Sequence, residues 1–309
     1  MKNVIGTVTL ALLMATTGAE AKGRLVDGAE LSPAVRASYA EEIAKARKTT
    51  PEAFKALEVL AGQADEIDAM RRGRSAGFSR YLKGMGEQLV WPVVEMLAFS
   101  APVEGPTTPT ASEGFDAGLI QAAGELRNPM LAPLWNAILD GGDERFLVVS
   151  SAVGALGMLE TDEAAKKLVA LSKSQGLRRD AALFAMGNCR RLVVARALAE
   201  TLDAGPELAQ LKQVTKSLGD VGSAAAWKTP AVSHRSEEGA VRRVAAESLV
   251  RAFVTHEHAE ARQAASNALM RVDAPETPML IQAARKGASP ELNAALDALQ
   301  KRFDRNPAR

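Results

Sequence analysis

The sequence predicts an all-α protein, an array of stacked helical hairpins. Two observations carry this. Alanine accounts for 58 of the 309 residues while aromatic residues make up only 4%; alanine loses no side-chain entropy in a helix and lets helices approach closely. Small-residue-rich segments of helical pattern also recur. Their anchors Leu126, Leu156, Met186, Leu218 and Leu249 stand 30 to 32 residues apart, Leu269 follows after 20 and Leu299 after a further 30. A helical pair of that length is too small to bury its own apolar face, so it must stack on its neighbours.

Residues 1–21 read as a secretory signal peptide. Lys2 supplies the positive start, Val4 to Ala15 is apolar and uncharged, and Ala19-Glu20-Ala21 is an A-x-A site with cleavage expected after Ala21. The apolar run is shorter than the roughly 20 residues a membrane span needs. No cysteine lies near the cut, so a lipoprotein is not expected, and the mature chain is expected in a bacterial periplasm or outside the cell.

Residues 22–75 read as an N-terminal helical cap, with helices expected over 32–48 and 51–72. Ser32-Pro33 and Thr50-Pro51 each combine an N-cap residue with a proline at the first helical position. Residues 76–309 form the expected array. Gly84-Met85-Gly86 reads as the end of its first small-residue helix. Residues 100–113, rich in Pro and Thr, are an insertion that explains the 41-residue step from Met85 to Leu126; it is read either as a functional loop or as a surface excursion.

Within the array each unit reads as helix, turn, helix. Val148 to Leu159 is followed by Glu160-Thr161-Asp162, a capping signal, and by a helix over Glu163 to Leu171. Ala181 to Met186 and Leu192 to Leu202 repeat the pattern. Leu208, Leu211, Val214 and Leu218 trace another stripe at helical spacing. Thr229 to Glu238, with Pro230 and His234, is expected to be an irregular connection.

Two segments carry a family resemblance. Val241-Arg242-Arg243-Val244-Ala245-Ala246-Glu247-Ser248-Leu249 resembles the first helix of HEAT-like repeats. So does Ala261 to Leu269, followed by Pro275, Pro278 and Met279-Leu280-Ile281. The short unit is similar to the variety found in bilin lyases and in bacterial scaffold proteins, and the resemblance covers about Gly84 to Phe303. It implies a right-handed α-α superhelix, with second helices lining the concave surface. It implies little about activity, because the repeated residues are packing residues. The 20-residue step before Leu269 departs from the pattern and leaves no room for a second helix between Phe253 and Ala259.

Catalytic signals are weak. Gly73-Arg74-Ser75-Ala76-Gly77 matches G-x-S-x-G, but a nucleophile elbow needs a preceding strand, and a helical pattern precedes it here. His256-Glu257-His258 lacks the second histidine of H-E-x-x-H, since position 260 is Glu260, and its two histidines point apart on a helix. Cys189 reads as a small buried apolar side chain; the alternative is a thiol activated by Arg190 and Arg191. No enzyme activity, cofactor or metal is expected.

The net charge of +1 argues against nucleic-acid binding. It is the sum of two opposed parts, −4 over Lys22–Gly176 and +5 over Leu177–Arg309, so the basic part suits an acidic partner or a solvated face. The polar members of the second helices, Lys166, Lys167, Arg196, Gln282 and Arg285, are the expected partner-binding residues. Trp135 and Trp227, each nine residues after an anchor, are candidates for an aromatic binding stripe or for inter-repeat core. The expected function is a non-enzymatic exported scaffold that binds a protein or peptide. The alternatives are a structural part of an envelope or secretion assembly, or a lyase-like chromophore-handling protein.

Overall fold

The computed structural model describes residues 22–73, 77–233 and 235–306. The expected signal peptide, Arg74 to Ala76 of the G-x-S-x-G match, and His234 lie outside these residues. The described chain is all-α, with no strand among the described residues.

Helix α1 (Pro33–Thr49) is capped by Ser32, whose Oγ accepts from the Val35 amide. Thr50 starts α2 (Pro51–Gly62) by position only; its hydroxyl donates back to the Ala46 carbonyl at 3.0 Å. The helix expected over 51–72 is broken at Gln63, after which α3 (Ala64–Ala69) begins. The expected helix end at Gly84-Met85-Gly86 is not found. A short α4 (Ser79–Leu82) passes into tight 3₁₀ turns, where Gly86 takes φ +54°, and α5 (Val90–Ala98) follows. The insertion is shorter than expected, because Thr108 caps α6 (Pro109–Glu125) and the helix takes up residues 109–113.

From there helices alternate through α7 (Ala132–Asp140), α8 (Phe146–Met158), α9 (Asp162–Ser172), α10 (Leu177–Ala185), α11 (Leu192–Asp203) and α12 (Leu208–Val221). The short α13 (Ala224–Trp227), α14 (Glu238–Thr255), α15 (Ala259–Val272), α16 (Thr277–Ala284) and α17 (Pro290–Asp304) complete the chain. Thr161 caps α9 by accepting from the Ala164 amide. The α8 sequence has no charged residue. It is apolar on every side, and Val148 to Gly157 are all buried, the outcome for a helix without a polar face.

The helices pack in two rows. In one, α6 lies on α8, α8 on α10, α10 on α12 and α12 on α15. In the other, α9 lies on α11, α11 on α14 and α14 on α16. The helix of Leu249 therefore belongs to the second row, although its sequence resembles a first helix. α12 meets α15 directly, and the 222–237 connection carries the chain across to α14. This is why the Leu249 to Leu269 step is short: the two residues sit on helices of different rows. His256 and Glu257 precede α15, and His258 is its N-cap.

Close approach in the first row depends on small residues. A Cβ on Gly124 of α6 would stand 2.6 Å from Ala155 Cβ of α8, and one on Gly187 would stand 2.4 Å from the Ser217 carbonyl oxygen of α12. The Ser217 hydroxyl closes the same crossing by donating to the Leu183 and Phe184 carbonyls.

Two buried carboxylates tie distant segments together. Asp116, 1% exposed, accepts from Arg24 at 2.6 Å and from Arg145 at 2.9 Å. Glu160 sits at φ +54° with its side chain also 1% exposed; Arg190 reaches it at 3.0 Å, and Arg127 and Arg235 at 3.5 Å. Its carbonyl accepts from Arg191 and Arg235, so the 229–238 connection is held against the α8–α9 turn.

The Gly124 crossing predicts a reversal of sign. Gly→Ala inside an open helix stabilises by about 1 kcal/mol, but overpacking costs about 1–3 kcal/mol. Gly124→Ala is expected to lower the urea midpoint, and Gly239→Ala in α14, where a Cβ meets nothing within 4 Å, to leave it unchanged or raise it.

Candidate functional site

The sequence-predicted site residues do not form one surface. Lys166 and Lys167 of α9 and Arg196 of α11 lie on packed helices, with Lys166 and Arg196 exposed. Lys167 is ion-paired with Asp140 at the end of α7. Gln282 of α16 and Arg285, its C-cap, lie apart from them, with α14 packed between α11 and α16. They line a shallow cavity of about 430 Å³ with Met279 and Lys286, and Arg285 pairs with Asp297 at 2.6 Å.

The aromatic stripe does not exist. Trp135 is 0% and Trp227 1% exposed. Trp135 is held in the body of α7, whereas Trp227 ends the short α13 and donates its indole N–H to the Val221 carbonyl at 3.0 Å. Equal spacing from two leucines did not make them equivalent, because the α12 unit carries an extra turn.

A deeper groove, of about 660 Å³, lies at the N-terminal end between α1, α2, α5 and residues 100–104. Phe54, Leu57, Pro92 and Met96 form its apolar floor, with Val59 and Val103 at the edge. Val59 is 52% exposed and Val103 is fully exposed. Arg47 closes one side; its guanidinium lies 4.6 Å from the Phe54 ring centroid and pairs with Glu95 at 2.8 Å. Glu58 and Glu104 stand on the rim. Behind the groove, Tyr39 donates to the Met130 carbonyl at 2.5 Å and meets Trp91 and Phe99 edge-on. Burial pushes the Tyr39 hydroxyl up to about 12, so it is a fixed donor.

The loop wall is held in place by one carboxylate. Asp65 of α3 accepts from the amide and hydroxyl of Thr107 at 2.9 and 2.7 Å, and from those of Thr108 at 3.0 and 2.9 Å. Thr110 adds a bond to Asp68 at 2.7 Å. On the inner side, the amides of Arg24, Leu25 and Val26 donate to the Met96 and Leu97 carbonyls, and Ala101 donates to Lys22. A Cβ on Gly23 would stand 2.4 Å from Ala98, so the strap over α5 passes through a glycine.

This site was missed in the sequence because its parts are far apart along the chain: Glu58 and Val59 on α2, Glu95 and Met96 on α5, Val103 and Glu104 in the loop. The Pro/Thr-rich insertion was the legible signal. Among the described residues no three His, Cys, Asp or Glu side chains converge on a metal-sized space. Cys189 is buried, and burial with Glu160 nearby pushes its thiol up to about 12 against the opposing pull of Arg191 and Arg235. No family model matches the chain, and no curated protein matches it in sequence.

Two outcomes are expected. The bonds from Thr107 and Thr108 hold the Asp65 carboxyl well below the ordinary carboxylate range. The clasp therefore contributes stability above the unfolded value of about 4 and loses it only as pH falls through the lower folded value. Asp65→Ala should speed amide exchange across residues 100–108 at pH 7 while leaving α8 protected, and wild-type protection there should persist at pH 5. Cys189 should resist a thiol reagent in the native protein and react fully in denaturant, because the thiolate is the attacking form.

Proposed function

We propose that the chain is a non-enzymatic exported scaffold whose helical pairs stack into a right-handed, HEAT-like α-α superhelix. It binds a protein or peptide partner at the N-terminal groove, in the periplasm or outside the cell. The two rows of helices support the superhelical reading, since α6, α8, α10, α12 and α15 follow one another in order along one side. The export reading rests on residues 1–21.

The observation that carries the binding role is the groove. An apolar floor with Val59 and Val103 exposed at its edge is bounded by a loop that four hydrogen bonds to Asp65 hold in one conformation. A wall ordered before binding lowers the entropic cost of association. Exposed apolar side chains beside a concave site suit a partner rather than bulk water. The α9–α11 face with Lys166, Lys167 and Arg196 supports a weaker contact, since Lys167 is already paired with Asp140.

Site-specific photo-cross-linking in cells tests this. A cross-linkable residue at Val103 is expected to give a discrete adduct that survives alanine substitution of Lys166, Lys167 and Arg196 together. One at Arg196 is expected to give none. No adduct from Val103 in folded protein would refute the groove as the binding site.

A further inference from the structure

We infer that the groove between α2, α5 and the 100–108 loop takes an extended peptide with an apolar side chain beside a lysine or arginine. The inference rests on the peptide-binding reading above and names its partner class. Four charged residues line the groove, Arg47, Glu58, Glu95 and Glu104. Arg47 is committed to Glu95, by a bond from its Nε at 3.0 Å and a second contact at 2.8 Å. That neutralises one side of the groove and stacks the guanidinium on Phe54. The remaining two charges are both carboxylates, and both are exposed.

Those two carboxylates flank one stretch of α2. Glu58 and Gly62 are four residues apart on one helix face, and a Cβ on Gly62 would lie 3.7 Å from Glu104 Oε2. Glu104 therefore reaches across from the loop onto the helix that carries Glu58. The Arg24 guanidinium, whose Nη1 would lie 3.3 Å from a Cβ on Gly105, is bound through Nε to buried Asp116 at 2.6 Å and through Nη2 to Ser112 at 3.1 Å; among the described residues it makes no ion pair with Glu104. An apolar side chain of the partner packs against the exposed Val59 and Val103 at the groove edge, and its cation meets Glu58 and Glu104. Apolar burial supplies affinity, and the rim charges select sign and accelerate encounter. An acidic peptide would meet two unpaired carboxylates instead and is disfavoured.

The test uses two acetylated, fluorescein-labelled hexapeptides, one of alternating leucine and lysine, the other of alternating leucine and glutamate. Their binding to the purified chain is followed by anisotropy at low and moderate salt. The lysine peptide is expected to bind and the glutamate peptide not. Glu58→Gln with Glu104→Gln is expected to weaken the lysine peptide about five- to tenfold, the scale of two exposed ion pairs, and to flatten its salt dependence. Both glutamates are exposed, so an unchanged circular dichroism melt is expected for the variant. Equal binding of the two peptides, or unaltered binding by the variant, overturns the basic-partner assignment while groove binding stands. Failure of both peptides while Val103 still cross-links to a partner overturns the assignment alone; failure of both with no Val103 adduct overturns the groove as well. Self-association of the chain that the double variant abolishes would place a second copy in the groove and also overturn the assignment.

Discussion

The close approach of helices in the first row is the constraint on which the rest of this structure depends. Where α6 crosses α8, the positions in contact are Gly124 and Ala155; where the turn after α10 meets α12, they are Gly187 and Ser217. With so little side chain between them, the backbones are brought together, and dispersion contacts between main chains replace those between large side chains. The tightness also explains why α8 carries no charge: with α6 on one side and α10 on the other, it has no face left for solvent. The larger apolar residues are displaced to the interior between the two rows, where Leu156, Leu168, Leu198 and Leu249 are buried.

Packing of this kind leaves the connections to be held by other means, and buried carboxylates serve that purpose. Asp116 gathers Arg24 from the N-terminal strap and Arg145 from the start of α8. Glu160 gathers arginines from three separate segments at the turn between α8 and α9. A carboxylate so buried is tolerable only when opposite charges and donors surround it. Each therefore acts as a local registration point, where the position of a loop is set by the fan of guanidinium groups that reaches it. Arg190 and Arg191, which the sequence offers as activators of Cys189, are instead spent on Glu160, Asp162 and Glu237.

The N-terminal groove follows from the same division of labour. Helices α1, α2 and α5 supply a rigid apolar floor, and the insertion after α5, held to α3 by Asp65, adds a wall. Because the clasp is made to backbone amides as well as hydroxyls, it fixes the path of the loop, with Val103 exposed and Glu104 reaching toward Gly62 of α2. The acidic character of that end agrees with the net −4 of Lys22–Gly176, a polarity that the near-neutral total conceals.

What the sequence determined by itself was local. Helical periodicity, the caps at Ser32 and Thr161, and the alanine excess depend on residues within a few positions of one another, and all of them reappear in the helices. What only the tertiary structure decided was which faces meet. The helix of Leu249 has the residue pattern of a first helix, yet it packs on α11 and α16, because the 222–237 connection carries it across. Trp135 and Trp227 share a spacing but not an environment, and both are buried as core. The groove joins residues from α1 to the loop after α5, and no short-range pattern records that they meet. Local propensity is written in neighbouring residues; contact between distant segments depends on the length and course of every connection between them.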